Sequence, residues 1–206
     1  MITRSRAIIL PDWAGKPVEE EMGGWPVVKH FEPAQAVSGL GLADLSHRPK
    51  AIVQGQAVAR LGTMQPGQAI FSGSVLAGCL KPEEAIVFDL TGAIEPQWPD
   101  NFYTDVTDGW ILLGLWGSKS CELVQRLVTV DVEPPGKPGP LHFATRSHGI
   151  HLRLINLRGR SPGFLLACHR SYGQNLFAAC VREGQRFELK VTGQTAFYDW
   201  FTSQVQ

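Results

Sequence analysis

One short unit occurs twice in the chain and limits its possible folds more than any other feature. Residues 44–47 read Asp-Leu-Ser-His, and residues 105–108 read Asp-Val-Thr-Asp. Each copy leads through a strand-like run to a glycine, Gly55 or Gly117, and then to a helix-compatible segment, once an offset of one residue is allowed. Because Asp, Ser and Thr side chains bond nearby backbone amides in turns, we interpret Asp44 and Asp105 as turn residues rather than catalytic acids. The chain is therefore predicted to contain two related lobes.

The periodicity around these turns predicts an α+β fold with antiparallel sheets and packed helices. We predict three segments: an extended N-terminal arm at 1–40, a first β-rich lobe at 41–100 and a second α+β lobe at 101–206. Strands are predicted from alternating or continuously apolar runs at 50–54, 68–71, 75–80, 84–90, 110–115, 150–157, 164–168 and 187–191. Helices are predicted from glycine punctuation and apolar stripes at 56–61, 118–129, with Ser118 as N-cap, 171–182 and 194–202.

The charge balance and the cysteines restrict the partners and the compartment. Acidic and basic residues number 19 each, so the chain lacks the broad positive field that binds nucleic acid or anionic membranes. No apolar run approaches the roughly 20 residues that cross a bilayer. The four cysteines are far apart and lack a CxxC pair, which favours free thiols in a reducing cytoplasm.

The order of the motifs resembles the glycine-cleavage T-protein (folate-dependent aminomethyltransferase) superfamily. The resemblance covers about residues 20–205, and its segments are 24–25 (Gly-Trp), 41–47 (Gly-Leu-Ala-Asp-Leu-Ser-His), 105–117, 131–132 (Asp-Val) and 193–196 (Gly-Gln-Thr-Ala). The chain length, the Pro-rich stretch after Asp131 and the run at 164–172 are most similar to the gamma subunit of heterotetrameric sarcosine oxidase. This resemblance implies a T-protein-like fold of two pseudo-repeated lobes without the C-terminal barrel of the long family members.

The departures from the family pattern concern its acidic residues. Full T-proteins carry an acidic pair after a Gly-Gly hairpin, whereas residues 77–81 here read Ala-Gly-Cys-Leu-Lys, and Glu83 and Glu84 follow only after a proline. Folate-binding members also place glutamates in a Gly-Glu-x-Gly-Phe-Glu hairpin, where a carboxylate can accept paired hydrogen bonds from the pterin. The corresponding residues 159–165 contain one residue more than this pattern, and they have Arg160 after the first glycine and Leu165 after the phenylalanine, with no acid at either position.

These losses imply a non-catalytic relative. We expect an assembly subunit of a multisubunit sarcosine oxidase-like flavoenzyme in one-carbon metabolism, with no activity or cofactor of its own and with the flavin-bearing oxidase subunits as partners. The alternative is a tetrahydrofolate-binding aminomethyltransferase-like protein that acts alone or as a homodimer. For that alternative Arg158 and Arg160 are the folate candidates, and Arg146 and Arg153 are further arginines that can grip a carboxylate of a partner or of a folate tail.

Three other site hypotheses are weaker than their structural alternatives. His142, His148 and His151 can in principle bind a metal, but 148 and 151 point to opposite faces if both lie in one strand, so no metal is expected. Ser147 and His148 are sequence neighbours, and we predict that they cannot form a hydrolase's hydrogen-bonded nucleophile and base. The Gly-Leu-Gly at 39–41 lacks the preceding strand and the third glycine of a dinucleotide fingerprint, so we predict a turn.

Overall fold

The structure is a computed structural model, and it describes residues 4–33, 37, 39–73, 75–91 and 98–205. The three helices in this part of the chain are α1 (Ser120–Leu127), α2 (Gly173–Gly184) and α3 (Gln194–Val205). The strands are β1 (Lys16–Met22), β2 (Trp25–Glu32), β3 (Gly41–Asp44), β4 (Lys50–Gln54), β5 (Ala69–Ser72), β6 (Val75–Lys81), β7 (Glu84–Asp89), β8 (Tyr103–Asp105), β9 (Trp110–Trp116), β10 (Leu141–Ser147), β11 (Ile150–Asn156), β12 (Gly163–His169) and β13 (Lys190–Thr192). The predicted link at 93–100 lies mostly outside the described residues.

The strands form two large sheets and one hairpin. The six-stranded sheet has the order β10-β11-β12-β9-β3-β13, and the five-stranded sheet has the order β5-β6-β7-β4-β8. Neighbouring strands are antiparallel except β3 and β13, which are parallel. The predicted α+β fold with antiparallel sheets is therefore confirmed, as is the meander of β5, β6 and β7, whose last strand is buried along most of its length.

The alternation of apolar residues along the strands separates the interior into layers. Odd-numbered positions of β9 (111, 113 and 115) pack with α1 and α2, whereas Leu112 and Trp116 face the five-stranded sheet and α3. In β7, Ile86 and Phe88 join this layer between the sheets, and Ala85 and Val87 face the short 3₁₀ helix at Gly55–Leu61. Each sheet is consequently apolar on both faces along its central strands.

Sheet membership does not follow the predicted boundary at residue 100. Strand β3, from the predicted first lobe, lies in the sheet of β9–β13, and β8, from the predicted second lobe, pairs with β4. The division at residue 100 stays a prediction about domains, but each predicted lobe contributes one strand to the sheet of the other.

The N-terminal segment is more regular than the extended arm that the sequence predicted. Strands β1 and β2 form an antiparallel hairpin around Gly23 and Gly24, both with positive φ. The hairpin packs on the other elements: Gln194 of α3 donates to Glu20 at 2.8 Å, and Trp25 and Phe31 are buried as their cost in water requires. Trp13 remains half exposed.

Three local predictions were wrong or incomplete. Helix α1 begins at Ser120 rather than with Ser118 as N-cap, because Gly117 is left-handed and its carbonyl accepts the amide of Ser120 at 3.0 Å. The strand predicted at 187–191 is reduced to β13, since Glu188 has a φ of +55° that interrupts extended backbone. Strand β10 was not predicted at all, because polar residues weaken the alternation of this edge strand.

Candidate functional site

The two repeated turns have the same internal hydrogen bond. The carboxylate Oδ1 of Asp44 accepts the amide of Ser46 at 2.9 Å, and Oδ1 of Asp105 accepts the amide of Thr107 at 2.7 Å. Both are Asx turns, as the sequence predicted. Asp44 also accepts the Ser46 hydroxyl at 2.5 Å, and Gly39 lies in a bend directly before β3.

The hydroxyl of each turn satisfies the start of a strand in the other unit. Ser46 Oγ accepts the amide of Leu112 in β9 at 3.1 Å, and Thr107 Oγ1 accepts the amide of Lys50 in β4 at 2.9 Å. Backbone hydrogen bonds link the same pairs of segments. The amide of Leu45 donates to the carbonyl of Leu112 at 2.8 Å, and the amide of Val106 donates to the carbonyl of Lys50 at 2.9 Å. The two units are therefore related by an approximate twofold axis, and Lys50 in the first unit is equivalent to Leu112 in the second.

A buried polar cluster surrounds the first turn. Lys50 is fully buried, and its Nζ donates to the carbonyls of Ser46 at 2.8 Å and Arg48 at 2.6 Å. Burial lowers the pKa of Lys50 to about 7 and, with the positive charges of Arg48 and Lys50, lowers the pKa of His47 to about 3. Burial also raises the pKa of Asp44. Lys50 and His47 fix the turn from inside and are closed to a substrate, whereas Asp44 is half-buried.

The second turn lines an open cleft of about 620 Å³ against the N-terminal hairpin. Arg4 occupies part of this cleft: it pairs with Asp108 at 2.6 Å, donates to the carbonyl of Gly23 at 2.6 Å and lies 5.6 Å from the ring centre of Trp25. Asp105 and Trp110 complete the walls. The cleft combines carboxylates with aromatic rings, which together favour the binding of a cation. The guanidinium of Arg4 is such a cation and already lies in the cleft.

The glutamates nearest to the family's acidic pair lie at the turn between β6 and β7. Glu83 is exposed, and Glu84 is half-buried with its carboxylate 3.7 Å from Lys81 Nζ. Glu84 lines a cleft of about 550 Å³ with His142 and Arg153. The two glutamates thus differ in exposure, and Glu84 is the one that lines this cleft.

The folate candidates Arg158 and Arg160 lie on the loop between β11 and β12. The Arg158 guanidinium donates to the carbonyls of Lys137 at 2.8 Å and Pro134 at 3.2 Å, so it fixes the Pro-rich connector to this loop. Arg160 is exposed. Their role in folate binding stays a prediction, and the geometry assigns Arg158 a structural contact as well.

The second position of the family's pterin-binding acids has a different environment. Leu165 lies in β12, is fully buried and belongs to the apolar layer between the two sheets. Phe197 and Trp200 of α3 and Trp116 of β9 fill the same layer with ring centres 5.5–6.1 Å apart. The room around this position is taken by aromatic side chains.

The three candidate metal ligands do not converge. His142 is buried with Nδ1 3.1 Å from the carbonyl of Cys79, while His148 and His151 are exposed near the turn between β10 and β11. Within the described ranges, no group of three or more His, Cys, Asp or Glu side chains is placed to bind a metal ion. Nor does any helix of the described residues have the length and apolar character to cross a membrane.

The prediction that Ser147 and His148 cannot be hydrogen-bonded was wrong. His148 has a φ of +49°, and this turn brings its Nδ1 to 3.2 Å from Ser147 Oγ. Ser147 is nevertheless fully buried, so its hydroxyl cannot meet a substrate, and it is burial rather than sequence spacing that argues against this pair as a nucleophile and base.

A groove that the sequence did not predict crosses the open part of the six-stranded sheet. It contains Arg146 and Arg153, which the sequence had singled out, together with Trp110, His151 and His169. The ring centres of Trp110 and His169 lie 4.9 Å apart. These residues come from four strands, and the sequence had singled out the two arginines as carboxylate ligands and His151 only as a candidate metal ligand.

Comparison with known proteins gives matches in structure alone. No protein-family model and no curated protein matches the chain. Among solved structures, aminomethyltransferase T of the glycine cleavage system from Bartonella henselae matches with a TM-score of 0.64 and 14% identity, over 90% of this chain and 58% of that one. A chain of heterotetrameric sarcosine oxidase from Corynebacterium sp. U-96, crystallised with pyrrole 2-carboxylate, matches with a TM-score of 0.57 and 14% identity, over 72% of this chain and 85% of that one.

The two solved structures differ in the share of their own length that this chain covers. This chain spans somewhat more than half the length of the aminomethyltransferase but most of the sarcosine oxidase chain. Both matches agree with the T-protein-like fold that the order of the motifs predicted. The protein therefore has a T-protein-like fold, shared with the glycine-cleavage aminomethyltransferase and with a chain of heterotetrameric sarcosine oxidase.

Proposed function

We propose that this chain is a non-catalytic assembly subunit of a multisubunit, sarcosine oxidase-like flavoenzyme that acts on N-methyl amines in one-carbon metabolism. The observation that carries the proposal is the environment of Leu165. In folate-binding relatives a glutamate of this hairpin accepts hydrogen bonds from the pterin, whereas here one of its two acidic positions carries an apolar side chain packed in a closed layer. At Leu165 there is neither a charged side chain nor a cavity to hold the pterin ring.

The other acidic position supports the same role. Lys81 stands in the stretch where T-proteins carry acids, and the nearest half-buried carboxylate, Glu84, is 3.7 Å from its ammonium. The carboxylate nearest to the family's acidic positions is therefore engaged in an ion pair with a lysine. The chain thus has little to offer to an aminomethyl group, and flavin and tetrahydrofolate are assigned to partner subunits.

The exposed apolar side chains of the N-terminal segment fit a subunit that binds others. Ile9 is 75% exposed and Trp13 49% exposed, and the start of α2 adds Tyr172. The aromatic residues Phe197 and Phe201 of α3, by contrast, are buried within the chain, so the C-terminal helix serves the fold instead. Large exposed aromatic residues are enriched at protein interfaces, which favours the N-terminal side as the contact surface.

The cysteines support a reducing compartment. Cys79, Cys168 and Cys180 are buried free thiols and Cys121 is half-buried. Burial raises the pKa of Cys121, Cys168 and Cys180 to about 12, so these thiols stay protonated and unreactive at neutral pH. We place the protein in the cytoplasm on this ground.

Co-expression tests the proposal. The chain, carrying an affinity tag, is produced together with the flavin-bearing and folate-binding subunits of a sarcosine oxidase from the same genome. We expect all subunits to purify together with flavin absorbance and the chain alone to show no oxidase activity. Assembly of an active oxidase that excludes this chain would contradict the role.

The alternative is a tetrahydrofolate-binding aminomethyltransferase-like protein that acts alone or as a homodimer. It is favoured by the groove with Arg146 and Arg153, which can hold the carboxylates of a folate. Isothermal titration of the purified chain with tetrahydrofolate separates the two. Heat of binding with a matching rise in thermal midpoint supports the alternative, and no heat supports the subunit.

A further inference from the structure

Two neighbouring clefts form one continuous groove across the outer strands of the six-stranded sheet. They have volumes of about 580 and 550 Å³ and share Ala144 and Arg153 in their walls. The groove begins at the β6–β7 turn, beside Lys81 and Glu84, and ends at Trp110 at the start of β9. Ala144, exposed in β10 with its small side chain, lets a ligand approach the sheet closely.

The groove is cationic. Its described lining has one carboxylate, Glu84, which pairs with Lys81 at 3.7 Å, against two arginines. Among the described residues neither Arg146 nor Arg153 has a carboxylate within 4 Å. Arg146 instead lies 3.2 Å from Nε2 of His151. In a chain with zero net charge this is a local surplus of positive charge.

Arg153 is already partly removed from water. It is half-buried, and this burial lowers its pKa, while Glu84 acts in the opposite direction. A guanidinium that has lost part of its hydration gains more from a carboxylate ligand than a fully hydrated one does. The groove is therefore better suited to a carboxylate than an exposed surface arginine is.

The spacing of the two arginines matches an extended peptide. In the register of β10 and β11, Arg146 is opposite His151 and Ala144 is opposite Arg153, so the two arginines are diagonal neighbours on one face of the sheet. Diagonal neighbours lie about 7–8 Å apart. Alternate side chains of an extended peptide project to one side about 7 Å apart. Two carboxylates at positions i and i+2 can therefore meet both arginines.

We propose that this groove binds an extended acidic segment of a partner subunit, with alternate carboxylates on Arg146 and Arg153. The tilted rings of Trp110 and His169 form the wall at one end of the groove, against which the next side chain on the same side of the peptide packs. The inference rests on the proposed role as an assembly subunit and names the chemistry of one of its contacts.

Fluorescence anisotropy with a labelled peptide tests the groove directly. The probe is a fluorescein-labelled hexapeptide that alternates Glu and Ser, and its counterpart alternates Lys and Ser. We expect the Glu peptide to bind at low ionic strength and the Lys peptide not to bind. The double variant R146Q/R153Q is expected to bind about tenfold more weakly, as the loss of charged hydrogen bonds predicts.

A matched control separates the groove from overall charge. The variant R182Q/R186Q removes the same two charges from exposed positions outside the groove and is expected to bind within about twofold of the unchanged chain. Circular dichroism checks that both variants fold. Absence of binding to the Glu peptide, or an equal loss in both variants, would overturn the proposal. Displacement of the peptide by tetrahydrofolate at a lower concentration than by unlabelled peptide would also overturn it, because the groove would then belong to a folate.

Co-expression keeps this result distinct from that of the proposed function. If the unchanged chain assembles with the oxidase subunits but the Glu peptide does not bind, the groove proposal fails and the subunit role stands. If the peptide binds through the two arginines but the chain never assembles, the subunit role fails and the groove's specificity for carboxylates stands.

Discussion

The two Asx turns have the same hydrogen bonds but different surroundings. Ser46 and His47 of the first turn are 2% and 3% exposed, whereas Asp105 and Asp108 of the second turn are open to solvent beside a cleft. The first copy is completed by a buried lysine, and the second by the surface arginine Arg4. The same motif therefore holds the start of a strand in the apolar interior, at Asp44, and at the surface, at Asp105. Polar atoms of the interior copy need partners within the chain, because water does not reach them, whereas those of the surface copy can bond to water.

The largest expected difference between the two units concerns their glycines. A Cβ on Gly117, which has a φ of +115°, would lie 2.0 Å from the carbonyl oxygen of Gly39, whereas a Cβ on Gly55 meets only the ring of Phe102 at 3.6 Å. We expect Gly117→Ala to lower the free energy of unfolding by about 4 kcal/mol and Gly55→Ala by about 1 kcal/mol. Urea unfolding measures both. Equal losses would mean that the two units are packed alike.

A second difference lies in the pH dependence of stability. Lys50, in the place of Leu112, has a folded-state pKa of about 7 against an ordinary value of 10.5. Between these values Lys50 binds more protons in the unfolded chain than in the folded chain, so the contribution of Lys50 to the free energy of unfolding, measured as the difference from Lys50→Met, rises with pH across this window. We expect a rise on the order of 3 kcal/mol and its loss in Lys50→Met. Urea unfolding from pH 7 to pH 10 checks this, with Lys119→Met on the surface of α1 as the control. If the free energy of unfolding of Lys50→Met depended on pH as that of the unchanged chain does, Lys50 would not be the source of the pH dependence.

The hydroxyls of the two turns provide a finer comparison. Ser46→Ala leaves the amide of Leu112 without its partner in a buried position, at an expected cost of about 2 kcal/mol. Thr107→Val removes the acceptor of the buried Lys50 amide, but Thr107 lines the open cleft, so water can replace its hydroxyl and the expected cost is about 1 kcal/mol. Thermal or urea unfolding ranks the two. A larger loss in Thr107→Val would reverse the assignment of which turn is the buried one.

The smallest expected effect is that of the ion pair at the outer turn. Asp108 is 63% exposed in its side chain, so its pair with Arg4 is worth about 0.5 kcal/mol and weakens with salt. We expect Arg4→Gln to lower stability by this amount at low ionic strength and by less at high ionic strength. A loss that does not change with salt would indicate that packing of the Arg4 stem on Trp25 matters more than its charge.

The sequence predicted the features that local chemistry determines. The Asx turns at Asp44 and Asp105, the glycines after each strand and the meander of β5, β6 and β7 depend on neighbouring residues, whose types are visible in the chain. The two lobes were predicted from the repeated turn and from the family resemblance, and their boundary stays a prediction. The exchange of β3 and β8 between the sheets was missed, because strand pairing across more than 50 residues leaves no local pattern.

The groove shows the same limit on predicting a site. Arg146 and Arg153 were visible as candidates for carboxylate binding, since their side chains have few other uses at the surface. Their position relative to Trp110 and His169 depends on the order of β9 to β12 in the sheet, which periodicity does not give. Leu165, likewise, was seen as a missing acid, but its burial under Phe197 and Trp200 required the packing of a helix from the far end of the chain.

The exchange of strands also determines the order in which the protein can fold during synthesis. Strand β3 leaves the ribosome early, yet its two neighbours in the sheet, β9 and β13, begin at residues 110 and 190. Contacts of such long sequence separation form slowly, and unpaired apolar strand edges favour aggregation. The apolar β3 therefore lacks its first neighbour until residue 116 has been made and its second until residue 192, so one of its edges stays unpaired for most of the synthesis.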